Sequence, residues 1–252
     1  MAEHPEKKES QMHDFVKTRA AQLRLEQVMA WSLRSGAHNQ NDKGEACVME
    51  AVAYVAGRPW SDSPPCVSPS IGAFMRSWND ALPSDAERDR LLKPLIPTLI
   101  NTKTSDADEQ RRAFMAMDWL VRVFTPKWLD FVPALKPHSV ALRDSEEICD
   151  IAGLVAATAK LRAAREASAA AWDAARDPAW DAARDPAWDA ARDAASDAAR
   201  DAAWAAAWAA ARAAAWDAAR DAARDFLKPT TEWIQTSAVQ LVERMCAVGR
   251  EV

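Results

Sequence analysis

At 252 residues the chain is long enough to bury a real core, as one large domain or two small ones. Only 6 Gly and a single Tyr, beside 14 Pro and 12 Trp, argue against a turn-rich all-β protein, because hairpins need residues that tolerate positive φ. A net charge of −5 leaves no basic excess to neutralise phosphates, so nucleic acid is not an expected partner.

Met1 to Gln11 is polar and charged and lacks the apolar stretch of an export signal, which points to a cytoplasmic protein. Cys47, Cys66, Cys149 and Cys246 are far apart, with no CxxC spacing, and are expected as reduced thiols. No membrane span is expected either. The longest uncharged stretch of the Ala-rich half, Ala202 to Ala211, is half of the ~20 residues a span needs.

In chain order, Met12 to Arg34 reads as an amphipathic helix stopped by Gly36, with Phe15, Val16, Leu23, Val28 and Trp31 near one face. Gly44 to Gly57 is apolar on nearly every side except at Glu45 and Glu50, as suits a helix in the middle of a bundle. Arg58 to Val67 carries three prolines and reads as an ordered loop. Ser68-Pro69 pairs an N-cap with Pro at the first helical position, predicting a helix to about Leu82. Ser84 with Glu87 makes a capping-box pattern for the next, which Pro94 and Pro97 must interrupt. Ser105 with Asp108 opens a long helix through Phe124, and Thr125-Pro126 a short one carrying Trp128 and Phe131. Pro133 and Pro137 mark the expected boundary between a compact helical domain, 1–135, and a second part, 136–252.

Helix is expected again from Asp144. From Trp172 to Arg224 every fourth residue is Trp, Arg or, once, Ser196, and the following residue is mostly Asp. Ala-Trp-Asp-Ala-Ala-Arg-Asp-Pro occurs twice without change, at 171–178 and 179–186. Ala has the best helix propensity, so this tract is expected as ordered helix. Asp and Arg three apart pair along its surface, and Trp with Arg four on adds cation–π contacts. A four-residue stripe drifts ~40° per unit on an α-helix. No single flat surface then covers Trp172, Trp180, Trp188, Trp204, Trp208 and Trp216 together. Breaks at Asp177-Pro178 and Asp185-Pro186 would reset the phase, with a long helix from Ala187 to Phe226. The indoles are expected to pack on the protein's own helices, on a second copy or on a protein partner, since exposed Trp invite aggregation. After Lys228-Pro229 a last amphipathic helix places Ile234, Ala238, Leu241, Val242 and Met245 on one face and stops near Gly249.

Candidate chemistry is sparse. Cys47, in the first turn of a predicted helix, with His138 and Asp144 downstream, follows the Cys…His…Asp order of some thiol hydrolases. A buried core thiol is the plainer reading. Glu50 and Asp118 interrupt apolar helices and need partners; Arg76 is a candidate for both, as a structural ion pair. Trp60 and Asp62, together with Arg76, Trp78, Asn79 and Asp80, form the densest polar-aromatic cluster outside the repeat. A small-ligand pocket, if present, is expected between these two segments. The four His, at 4, 13, 38 and 138, show no metal-ligand spacing, and no Gly-rich phosphate loop exists, so no metal or cofactor is expected.

Gly44 to Gly57, Arg58-Pro-Trp-Ser-Asp62, Arg76-Ser-Trp-Asn-Asp80 and Met117-Asp-Trp-Leu-Val-Arg122 together resemble an uncharacterised family of bacterial and phage-associated hypothetical proteins. The resemblance implies such a region joined to an Ala-rich Asp-Ala-Ala-Arg/Asp-Ala-Ala-Trp tract and a closing amphipathic helix. It implies no activity, cofactor or site. The expectation is therefore an all-α fold and a non-enzymatic interaction or scaffold protein, in phage–host or stress biology. The alternative is a small-ligand-binding protein or thiol-dependent hydrolase centred on Cys47.

Overall fold

A computed structural model describes residues 18–40, 44–171 and 225–250. The fold is all-α, with one two-residue parallel bridge among the described residues. The described residues fall into two compact units. The first draws on 18–40, 44–120, 146–154 and 235–250, the second on 121–145, 155–171 and 225–234. The division therefore does not follow the boundary expected at Pro133 and Pro137. Those prolines lead into a 3-10 turn, Pro133–Leu135, and the helix Lys136–Arg143, all inside the second unit.

The first unit opens with α1, Arg19–Ala30, shorter than the helix expected to Arg34. Ser32–Leu33 instead forms β1, parallel to β2, Glu45–Ala46. Gly44 makes this pairing possible. Its φ of +66° suits glycine, and a Cβ there would come within 2.8 Å of the Trp31 ring. The apolar run is thus part strand and part helix, because Glu45 and Ala46 are taken up by β1. Helix α2, Val48–Val55, starts only after Cys47, which is its N-cap rather than a first-turn residue. Val48, Met49, Ala51, Val52, Ala53 and Val55 are all fully buried, and each large one contributes about 1.5–3 kcal/mol through its apolar area. As its all-round apolarity requires, α2 sits centrally, against α1, α3 (Pro69–Ala81) and α5 (Ile96–Leu99).

The start signals read from the sequence operate as local chemistry. Ser68 accepts the Ile71 N–H with Pro69 at the first position, and Ser84 accepts the Glu87 N–H ahead of α4, Asp85–Leu92. Pro94 and Pro97 break the chain after α4 into a 3-10 turn, Lys93–Leu95, and α5. A reciprocal box of Ser105 and Asp108 opens α6, Asp106–Trp119. α6 does not stay α-helical to Phe124, since Leu120–Phe124 widens into a π turn that leads into α7, Thr125–Leu129. Trp119 is buried, whereas Met117 is 37 % exposed.

Several helix C-termini share one device. The last turn of a helix leaves carbonyls without intrahelical donors. Here cations from distant parts of the chain reach them. Lys93 Nζ donates to Met29 O and Trp31 O after α1, and Arg24 Nε to Val55 O at the end of α2. Arg88, 6 % exposed, donates to Asn79 O and Leu82 O at the end of α3. Arg250 donates to Thr98 O and Ile100 O around the end of α5. Positive charge at these carbonyls also suits the helix dipole.

The second unit contains α7, α8 (Lys136–Arg143) and most of a described helix over 151–171, α9. Ser139 joins α8 to α7 through hydrogen bonds to Pro126 O and the Asp130 carboxylate. Phe124, Trp128, Phe131 and Phe226 form a chain of ring contacts, with centroids 5.5–6.2 Å apart. Lys127 lies 4.7 Å above the Trp233 ring.

The last helix, α10, is described over 225–247 and runs through Pro229 rather than beginning after it. Its anticipated face is correct. Ile234, Ala238, Leu241, Val242 and Met245 are all buried, and Gly249 ends the turn with φ +73°. A Cβ on Gly249 would meet the Asp108 carboxylate at 2.6 Å, so no other residue fits there without displacement. Arg112, fully buried on α6, donates to Met245 O and Val248 O and pairs with Glu109 at 2.6 Å. Residues 235–250 thus complete the first unit's core. The six repeat indoles, Trp172 to Trp216, lie outside the described residues.

Candidate functional site

Of the sequence-based candidates, Cys47, Glu50, Asn79 and Trp60 meet around the N-terminus of α2. Glu50, 1 % exposed, turns back to accept the Cys47 N–H at 2.7 Å, while Cys47 Sγ accepts the Glu50 N–H at 3.4 Å. The same carboxylate accepts the His38 N–H at 2.5 Å and lies 3.1 Å from His38 Nδ1. Trp60 closes the cluster from above, its indole N–H donating to His38 O at 2.7 Å. Trp60 also stands 6.2 Å from Trp31, which in turn packs at 4.8 Å on Tyr54. His38 is the member that sequence spacing missed. It lies in a polar loop, and only the β1–β2 pairing brings that loop over Glu50.

The partner expected for Glu50 is therefore not Arg76. Arg76 donates through Nη1 to Asp62 O at 3.0 Å and Ser63 Oγ at 2.8 Å, and so braces the proline loop on α3. Nor does Arg76 serve Asp118, whose carboxylate accepts the Ile148 N–H at 2.8 Å. Asn79, fully buried, accepts the Val48 N–H and donates to Arg34 O, tying α3 to the start of α2. Asp80 accepts the Gly36 N–H at 2.7 Å. That bond, aided by the Asn79 amide and the Arg88 charge, holds its carboxyl below the usual range. Trp78 packs edge-on to Phe74 at 6.0 Å. Within this cluster, Asn79 and Asp80 join loop and cap through polar atoms that serve the chain's own backbone.

Burial pushes the Cys47 thiol up to about 12, and the Glu50 charge adds to the effect against the opposing Glu50 N–H bond. At pH 8 a thiol of that pKa is ionised to about one part in ten thousand, which is no supply of nucleophile. His138 and Asp144, the other two members of the expected order, belong to the second unit and Cys47 to the first. His138 sits on α8, and Asp144 is the residue that ends it.

Two outcomes follow for the cysteines. In the native protein iodoacetamide is expected to label Cys149, which is exposed, well ahead of Cys47, Cys66 and Cys246, which are buried. Peptide mapping of the labelled chain reads this, and early labelling of Cys47 would contradict its environment. Burial also raises the Cys246 thiol, to about 11. Both thiols ionise from an ordinary value of 9.0 once the chain unfolds. Their contribution to stability is thus complete below about pH 9 and is lost as pH climbs through 11 towards 12. Urea midpoints should fall between neutral pH and pH ~10.5, and Cys246→Ser should flatten part of that fall.

Described residues of the first unit line cavities at two places. One of about 570 Å³ is bounded by α6, the 147–150 loop and the end of α10, with Arg111, Asp118, Cys149, Asp150 and Arg244 on its walls. Its size suits a small molecule, but its cations and carboxylates are mixed. Only Asp118, as an acid on an apolar helix, pointed to it from sequence. The other, of about 170 Å³, lies between the proline loop and α3 and includes Arg76. Of the two segments between which a pocket was expected, it takes only Arg76; Trp60, Asp62, Trp78, Asn79 and Asp80 do not line it. Among the described residues no group of three or more His, Cys, Asp and Glu could hold a metal ion, and no helix is long and apolar enough to cross a membrane. No protein-family model, curated protein or solved structure matches the chain.

Proposed function

We propose that the chain acts by association rather than catalysis, as a helical interaction or scaffold protein whose repeat indoles, Trp172, Trp180, Trp188, Trp204, Trp208 and Trp216, form the contact surface. One observation carries the reading. The polar atoms of Cys47, Glu50, Asn79 and Asp80, which a catalytic centre would have to direct at a substrate, are bonded to the chain's own backbone. Apolar exposure on the helices flanking the repeat supports the same reading. Val155 on α9 is 66 % exposed and Phe226 on α10 is 71 % exposed. Large apolar groups left in water favour association. The resemblance to bacterial and phage-associated proteins, and a role in phage–host or stress biology, belong to this proposal.

Sedimentation of the full chain over a wide concentration range tests it, beside a variant with Trp204, Trp208 and Trp216 changed to Gln. The expected result is concentration-dependent self-association that the variant loses. Identical single-chain behaviour of both proteins at every concentration would sink the reading.

A further inference from the structure

The pocket of about 170 Å³ between the proline loop and α3 has an unusual electrical character. Its charged lining residues are Arg76 and Lys103, with no carboxylate among the described residues that line it. The rest of the wall is Met49, Val67, Gly72, two serines and three prolines, none of which brings a negative charge. Glu109, the acid bonded to Ser68 of that wall, is already paired. It accepts the Ser68 hydroxyl at 2.6 Å and pairs with Arg112 at 2.6 Å.

Arg76 is half-buried and preorganised. Its Nη1 is bound on two sides, to Asp62 O and Ser63 Oγ, which fixes the plane of the guanidinium. Its Nε and Nη2 hydrogens have no acceptor among the described residues, so one edge of the fork remains available. Ser63 Oγ accepts from Arg76, and its own hydrogen is likewise without an acceptor there. The Lys103 ammonium makes no hydrogen bond or ion pair among the described residues. The wall of this pocket therefore carries two cations and a serine hydroxyl around a space of about 170 Å³. A planar guanidinium with a free edge matches two oxygens of a tetrahedral anion, and a nearby ammonium adds a point charge.

We propose that this pocket is an oxyanion site for the phosphate class, taking free phosphate or the phosphoryl group of a small monoester. Arg76 supplies the fork, Ser63 a hydroxyl donor and Lys103 the second charge. The prolines hold the walls without offering N–H groups of their own. The site stands apart from the association reading, since its occupancy needs no second chain.

Calorimetric titration of inorganic phosphate, and separately of methyl phosphate, into the full chain in chloride buffer of matched ionic strength tests this. Saturable binding of at least one is expected, half-complete near ~1 mM, which a few charge-assisted hydrogen bonds sustain. Lys103→Gln should weaken it by roughly tenfold, the size of one charge-assisted hydrogen bond, with an unchanged melting temperature in chloride. Arg76→Lys should remove binding; if it also melts lower because the loop loses its brace, Lys103→Gln decides. If methyl phosphate alone binds, the site takes a carried phosphoryl group, which the proposal includes. Absence of saturable heat with both anions, or wild-type affinity in a folded Lys103→Gln, overturns it.

Discussion

Replacing Arg112 by alanine is expected to destabilise the first unit by about 3–5 kcal/mol, the cost of stripping one partner from a buried charged network. The guanidinium is fully buried and joins two segments more than a hundred residues apart in sequence. It donates to Met245 O at 3.0 Å and Val248 O at 2.7 Å, and it neutralises Glu109. Without it two carbonyls at the end of α10 lose their donor, and Glu109 retains its charge beside Ser68 without a cation. Arg112→Met restores much of the volume but none of the donors, so it should recover only the packing part. Urea unfolding monitored by circular dichroism measures the shift in midpoint. A midpoint within experimental scatter of the parent for both variants would show that α10 holds to α6 by apolar burial alone.

Glu50→Ala is the second large effect. The carboxylate is 1 % exposed and accepts from Cys47 N, His38 N and His38 Nδ1. Its removal leaves the N-cap of α2 and the loop above it with unpaired buried donors, each worth about 1–3 kcal/mol. The expected loss is roughly 2–5 kcal/mol, with part of it due to the vacated volume. Glu50→Gln keeps one acceptor oxygen in place and should be milder. Hydrogen exchange adds a local reading: the Cys47 and His38 amides should lose protection in Glu50→Ala before the rest of α2 does. Equal protection in parent and variant would mean that the loop is held by Trp60 and Asp80 instead.

These two positions also show where sequence reading stops. Glu50 stood out because an acid on an apolar helix demands a partner, and that demand was correct. The partner was not. Arg76 was the available cation in the neighbouring segments, yet a backbone N–H and an imidazole from a short loop took the place. Such a pairing depends on β1 lying parallel to β2, and four residues of strand leave almost no periodic signal. Arg112 gave no signal at all, since an arginine on a helix is ordinarily solvated and its carbonyl partners carry no side-chain identity.

Local rules were legible along most of the chain. Ser68-Pro69, Ser84, and Ser105 with Asp108 each start a helix where their hydroxyl or carboxylate can meet orphan N–H groups. Pro94 and Pro97 cut a helix because each removes a donor. The spacing of Ala238, Leu241, Val242 and Met245 named the buried face of α10 before any packing was known. All of these act within a few residues, through hydrogen bonds and periodicity that the residue types themselves determine.

Tertiary structure alone decided how the helices end and what closes the first unit. Helix C-termini draw on Lys93, Arg24, Arg88, Arg250 and Arg112, whose targets lie across the fold. It also decided that residues 235–250 complete the core of the first unit, a contact between segments that neither local propensity nor composition brings together. A carbonyl accepts from any donor that reaches it, so its partner is chosen by packing geometry and not by the sequence around it.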